Sequence, residues 1–337
     1  MTTTVSRILF TAPGEVATET TEEPDAPLPA GHVRIAPQYL GICGSDLHVL
    51  HGGHPFAKPP LVPGHELSAV VVETAPDVTG VAVGDRAVID PIMACGACRA
   101  CRAGRPNLCE PPRVAGFRAP GFGRTSHIVP AANAHVAPAS LPLDQLAFAE
   151  PVACAVHCLS RLRDPADRED LLVIGAGTIG LTIVQALRVS GAGRLTVQEP
   201  DPAKRDLARR LGADVAVAPG ELPEGAAFTA VIDVVAAQAT LNEATTRVLP
   251  GGPVVVMGVP SGPREVPLPS MQRFERDLLG SGMYVPGDFD TAIAWLADGR
   301  FRTDGLITDT FSLREAAAAY RRAAAPDSIK VLVRLAE

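Results

Sequence analysis

The stretch LLVIGAGTIGLTIVQALRV constrains this chain most, because an unbroken apolar run from Leu171 to Ile174 passes directly into Gly175, Gly177 and Gly180 and then into a helical pattern. An apolar run without alternation suits a strand buried on both faces. Glycines spaced G-x-G-x-x-G let the backbone turn sharply. They also bring the N–H groups of the helix start, Thr178 and Ile179 included, up to a pyrophosphate. Alone the motif is weak, but the following texture supports it. RLTVQEP reads as a strand, DPAKRDLARRLGA as a helix, and TAVIDVV and GGPVVVMGV as further strands. Strands alternating with helices imply right-handed crossovers and a parallel sheet. From residue 150 the chain is therefore expected to form a doubly wound α/β domain that binds a dinucleotide.

The acidic residue that completes this fingerprint is Glu199, 19 positions beyond Gly180 at the end of the second strand. A carboxylate there accepts hydrogen bonds from the adenosine ribose and repels a 2′-phosphate, which favours NAD over NADP. Asp201 competes for the role, and Lys204 and Arg205 offset part of the repulsion, with Lys204 placed among the cofactor-binding residues.

A chain of 337 residues exceeds what one core usually holds, so two domains are expected. Residues 32 to 140 read as short apolar segments, HVRIAP, LSAVVVET and DRAVID, punctuated by Gly and Pro. After residue 285 come a helix, FDTAIAWLADGR, a strand near ITDTFS, an Ala-rich helix and a last strand, IKVLVRLA. This tail is expected to return to the first domain. A net charge of −7 with no Lys/Arg block argues against nucleic acid. No apolar run reaches the roughly 18 residues of a membrane span, and MTTTVSRILFTAPGE lacks the features of an export signal, so a cytoplasmic protein is expected.

Of seven cysteines, four lie in CGACRACRAGRPNLC as Cys95, Cys98, Cys101 and Cys109. Thiolates at these separations can wrap one tetrahedral Zn²⁺ with bonds of about 2.3 Å and leave it no free position, so this site reads as structural. A second constellation, GICGSDLH followed by PGHE, offers Cys43, His65 and Glu66. Those donors suit a catalytic zinc, which needs three protein ligands and one exchangeable position.

Taken in order, GICGSDLH, PGHE, the four-cysteine segment, AEPVACAVH and GAGTIG make the chain resemble the zinc-dependent medium-chain alcohol dehydrogenase family, in particular its sorbitol and threonine dehydrogenase branch. The resemblance implies a β-rich, GroES-like catalytic domain over 1–149 and 286–337 that binds zinc, and a Rossmann domain over 150–285 that binds NAD. It implies two zinc ions per chain, one catalytic and one structural. Cys43 and His65 would be catalytic ligands, with Glu66 a third or an exchanging one. Glu150, where classical members carry another cysteine, would sit close and alternate with water or substrate. Asp46 would orient His65, as carboxylates commonly do for ligating histidines. Ser45 and His48 resemble the family's proton relay, a hydroxyl on the substrate oxygen backed by an imidazole that titrates near neutrality.

The implied reaction is oxidation of a secondary alcohol with hydride passing to the nicotinamide. Gly44, where classical members often have a cation, favours a polyol, cyclitol, vicinal diol or amino alcohol. The same machinery run backwards is a carbonyl reductase, and a protein that binds NAD without catalysis would be expected to lose Cys43, His65 or the relay. Relatives of this kind form homo-dimers or homo-tetramers. Three features stand apart. His51 and His54 form a third metal site or a loop facing the substrate. Cys154, His157 and Cys158, at i, i+3 and i+4, form a metal site or, preferably, core packing. Val235, Ala236 and Ala237 replace the small hydroxyl or glycine usual after the fifth strand.

Overall fold

The computed structural model describes residues 2–24, 27–111, 113–260 and 262–336. The chain divides into two units: Met1–Glu150 with Val285–Glu337, and Pro151–Tyr284 inserted between them in sequence.

The first unit opens with an antiparallel hairpin, β1 (Thr2–Ala12) and β2 (Glu15–Pro24), ahead of the segment read as strand-rich. Val5, Ile8 and Phe10 are buried, but glutamates at 15, 19, 22 and 23 mask any apolar period in β2. There follow β3 (His32–Ile42), α1 (Gly44–Leu50), β4 (Glu66–Thr74), β5 (Arg86–Ile89), α2 (Arg99–Arg102), β6 (His127–Pro130), β7 (Ala134–Ala137) and α3 (Leu143–Leu146). Helix α4 (Ala149–Leu159) carries the chain into the second unit.

That unit comprises β8 (Asp170–Ile174), α5 (Thr178–Val189), β9 (Arg194–Gln198), α6 (Pro202–Arg210), β10 (Val215–Val217), β11 (Ala230–Asp233), α7 (Gln238–Arg247), β12 (Pro253–Val256), α8 (Leu268–Arg273) and β13 (Asp277–Gly280). Its six strands pair in parallel in the order β10-β9-β8-β11-β12-β13. The first strand, β8, lies in the middle and the winding reverses between β8 and β11, the place where sheets of this kind open a crevice at their carboxyl ends. Leu172, Ile174, Val231 and Val254 of the sheet pack with Ala244 and Val248 in one buried cluster.

The returning tail forms α9 (Pro286–Ala297), β14 (Ile307–Ser312), α10 (Ala316–Ala323) and β15 (Lys330–Arg334). It completes a seven-stranded sheet ordered β14-β15-β3-β4-β5-β7, with β6 also paired to β3. Strand β15 lies between β14 and β3, so its Val331 and Val333 share a core with Ile35, Leu40, Leu67 and Val71. Tyr320 of α10 meets Phe10 edge-on at 4.9 Å. Among the described residues, no helix is long and apolar enough to cross a membrane.

Candidate active site

Cys43 sits where β3 gives way to α1, in extended backbone at the helix cap. Its N–H donates to Asp46 Oδ2 at 2.9 Å, so Asp46 fixes the cysteine at the helix start. The other Asp46 oxygen, Oδ1, lies 3.4 Å from His65 Nδ1. One buried carboxylate thus touches both the loop that carries the thiol and the imidazole. Burial works against a charged His65 ring, but Asp46 outweighs it and holds the ring well above its ordinary pKa. His65 immediately precedes β4, which pairs with β3 so that Glu66 faces Gly41. By this register, ligand atoms of Cys43, His65 and Glu66 come within 4.8 Å of one another. That is close to the spread of donors held about 2.0–2.3 Å from one ion. These residues fit a zinc seat.

Glu150 lies in the first turn of α4, buried, outside that trio but within electrostatic reach of Lys330. Both Glu66 oxygens accept hydrogen bonds from Lys330 Nζ, at 2.7 and 2.6 Å. Lys330 was missed in the sequence because a lysine opening the strand IKVLVRLA carries no signal of burial.

Ser45 is half-buried and His48 exposed, one turn apart on α1. His51 Nδ1 lies 2.7 Å from the Leu47 carbonyl oxygen, and His54 Nδ1 accepts from the Phe56 N–H at 3.2 Å. Burial, then the nearby His48, lowers the His54 pKa. Neither histidine joins a metal-ligand group among the described residues. Phe117, which nothing in the sequence marked, stands 5.1 Å from the His65 ring and 4.8 Å from that of His54.

Cys95, Cys98, Cys101 and Cys109 gather in a second group. Tetrahedral bonds of about 2.3 Å put sulfurs about 3.8 Å apart, and Cys95 and Cys101 Sγ are 3.9 Å apart. Backbone N–H groups of Cys95, Cys98 and Cys101 donate to Cys109, Cys95 and Cys98 Sγ at 3.3, 3.3 and 3.5 Å. The Cys101 N–H draws the Cys98 thiol down to about 6, toward the thiolate a metal takes, while desolvation and Cys98 push Cys101 up to about 12. Cys154, His157 and Cys158 join no such group among the described residues, and burial raises the Cys158 thiol to about 12.

In the second unit the glycine turn follows β8. A Cβ on Gly180 would lie 1.9 Å from the Gly175 carbonyl oxygen, so only glycine lets α5 start this close to the strand. A Cβ on Gly177 would meet nothing within 4 Å, which leaves the face of the turn open to a phosphate. Thr178 and Ile179 begin α5 there. Glu199 Oε2 accepts from the Ala176 N–H at 2.8 Å and Oε1 from Asp201 N–H at 3.0 Å, so this carboxylate is tied to the turn. Asp201 instead caps α6, accepting from Ala203 N–H at 2.8 Å. Lys204 is half-buried in the first turn of α6, and the Arg205 guanidinium is spent on the carbonyls of Glu199 and Pro200. After β11, Ala236 takes a positive φ of 56°, held by Asp233 Oδ1, which accepts from the Val235 and Ala236 N–H groups. Arg264 Nε donates to the Ala236 carbonyl at 3.0 Å, fastening that turn to a later loop.

Residues 29–140 match the family described as alcohol dehydrogenase GroES-like domain, and residues 178–298 the one described as zinc-binding dehydrogenase. The starvation-sensing protein RspB of Escherichia coli K12 is 34% identical over 319 residues, covering 92% of this chain and 93% of that protein. D-arabinitol dehydrogenase 1 of Uromyces fabae is 30% identical over 313 residues, 87% of each chain. The solved structure of an alcohol dehydrogenase, rspB, from E. coli CFT073 in complex with NADH superposes with a TM-score of 0.91 at 31% identity, covering 98% of this chain and 99% of that one.

Proposed function

The chain belongs to the zinc-binding alcohol dehydrogenase family, and on that premise we propose that it oxidises a secondary hydroxyl of a polyol, cyclitol or amino alcohol to a ketone, with NAD as acceptor. The observation that carries the reading is the convergence of Cys43, His65 and Glu66 from separate segments to within 4.8 Å. When bound, zinc supplies a Lewis acid that lowers the pKa of a hydroxyl, and the dinucleotide supplies the hydride acceptor.

The chain's own residues do the rest. Asp46 orients His65 and anchors Cys43 through its two oxygens. Ser45 accepts the substrate's hydroxyl proton and passes it to His48, which is exposed and can release it to water. Glu199, fixed at the glycine turn, is placed for the adenosine ribose, and this supports NAD over NADP. Similar solved structures hold NADH in one case and NADP in another, so the choice rests on Glu199. A small-molecule alcohol is the partner in this reading. A homo-oligomer belongs to it too, supported by β13, an edge strand whose Leu278 is 40% exposed.

The test is a panel of polyols, cyclitols and amino alcohols assayed with NAD and with NADP by absorbance of the reduced cofactor, together with metal analysis. Turnover with NAD, two zinc ions per chain and loss of activity in Cys43→Ser are expected. A clear NADP preference overturns the cofactor assignment, and Cys43→Ser with full activity overturns the metal seat.

A further inference from the structure

In the turn after β11, Ala236 holds a φ of 56°, a left-handed backbone that costs alanine more than glycine. The surroundings keep it there from every side. Asp233, fully buried at the end of β11, accepts from the Val235 and Ala236 N–H groups at 2.9 and 3.0 Å through Oδ1, and from the Thr240 hydroxyl at 2.9 Å through Oδ2. The turn presses on the glycine turn that follows β8, where a Cβ at Gly175 would lie 2.8 Å from the side chains of Val234 and Val235. It presses equally on the chain after β12, where a Cβ at Gly258 would lie 2.6 Å from the Val235 carbonyl carbon. Arg264 closes the arrangement: its Nε donates to the Ala236 carbonyl at 3.0 Å. The neighbouring Glu265 is fastened too, because Gln238, which opens α7, donates to its carbonyl and accepts from its N–H, both at 2.9 Å.

A dinucleotide lies across the carboxyl ends of such a sheet, with its pyrophosphate at the glycine turn after β8. Glu199, just beyond β9 on one side of β8, is placed for the adenosine half. The nicotinamide half therefore falls on the other side, over the ends of β11 and β12. There Val235 is 48% and Val259 56% exposed, apolar surface of the kind a flat ring covers. Backbone strain that the surroundings hold in place clusters at ligand seats. Resting on the dinucleotide reading above, we infer that Arg264 is a positioning residue for the nicotinamide half of the cofactor: by clasping the Ala236 carbonyl it keeps the turn left-handed, and the turn in that form holds Val235 at the nicotinamide seat.

The test uses the full chain as wild type, Arg264→Met and the double variant Arg264→Met/Ala236→Gly. NADH is titrated by its fluorescence, and ADP-ribose, the same molecule without its nicotinamide, by calorimetry. In Arg264→Met NADH binds about tenfold more weakly, the scale of one lost hydrogen bond from a charged donor. ADP-ribose binds that variant as it binds the wild type, because Glu199 and the glycine turn are untouched. Glycine takes a positive φ without a clasp, so the double variant recovers the wild-type affinity for NADH, and does so even where Arg264→Met alone does not fold. Equal weakening of NADH and ADP-ribose gives Arg264 a merely structural role and overturns the inference, as does an unchanged NADH affinity in Arg264→Met. A folded double variant that stays weak for NADH overturns it as well, since Arg264 then does not act through the Ala236 backbone. A wild type that does not bind NADH overturns the cofactor reading itself, which separates the failure of that premise from the failure of the role of Arg264.

Discussion

Asp90 follows β5, is nearly buried, and has the Ile92 N–H donated to its Oδ1 at 2.8 Å. Burial, opposed by that one hydrogen bond, raises its pKa from 3.8 to about 7. The folded protein therefore keeps a proton that the unfolded chain gives up above pH 3.8, and the resulting stability is lost as pH rises through about 7. A shift of about three units corresponds to a penalty on the order of 4 kcal/mol once the group is ionised. Asn at this position accepts the same N–H and never ionises. Asp90→Asn should accordingly melt several degrees above the wild type at pH 8 and much nearer to it at pH 5, in thermal scans of both proteins; an equal gap at the two pH values means Asp90 does not hold the proton. Such a group has no sequence signature. Cys43, His65 and the four clustered cysteines could be read directly, because the side chains carry the chemistry and the spacing is short. Lys330 could not, since its carboxylate partner lies 264 positions away and only the register of three strands brings them together.

At the scale of elements, the passage from β8 through the glycine turn into α5 depends on close approach rather than on composition. With a Cβ at Gly180 only 1.9 Å from a backbone oxygen, neither atom belongs to a flexible side chain, so α5 must move away from the strand. Gly180→Ala is expected to lower the melting temperature and weaken NADH binding, read by fluorescence titration, by tenfold or more, an order of magnitude in keeping with about 1–3 kcal/mol of overpacking. Metal content should stay at the wild-type value. Retained NADH affinity would mean that the turn does not seat the pyrophosphate. This turn was legible because apolar strand, glycines and helix stand contiguously in the sequence. Helices α5 and α6 were legible for the same reason, although Asp201, read as a rival of Glu199 for the ribose, caps α6 instead. Strands β2 and β13 were not. β2 is held by its pairing with β1 in spite of its glutamates, and β13 is an edge strand with exposed residues, so neither carries the apolar pattern by which a strand announces itself.

Across the whole molecule, the first unit is made of two stretches separated by 134 residues of the second, from Pro151 to Tyr284, and its sheet is finished only when β15 settles between β14 and β3. Val331, Leu332, Val333 and Leu335 are all essentially buried, and each contributes roughly 1.5–3 kcal/mol on burial. Their sum rivals the whole stability of a typical domain, about 5–15 kcal/mol. The second unit draws every strand of its sheet from one continuous stretch and owes none to the tail. A chain truncated after Ser328 should therefore lose the cooperative unfolding of the first unit, and with β3 left without its β15 partner beside Cys43 it should lose zinc at Cys43 as well. The dinucleotide seat should survive, so that NADH fluorescence still titrates to saturation while circular dichroism shows part of the β signal missing. Simultaneous loss of NADH binding and of all ordered secondary structure would show that the inserted unit cannot hold its fold without the sheet that encloses it in sequence.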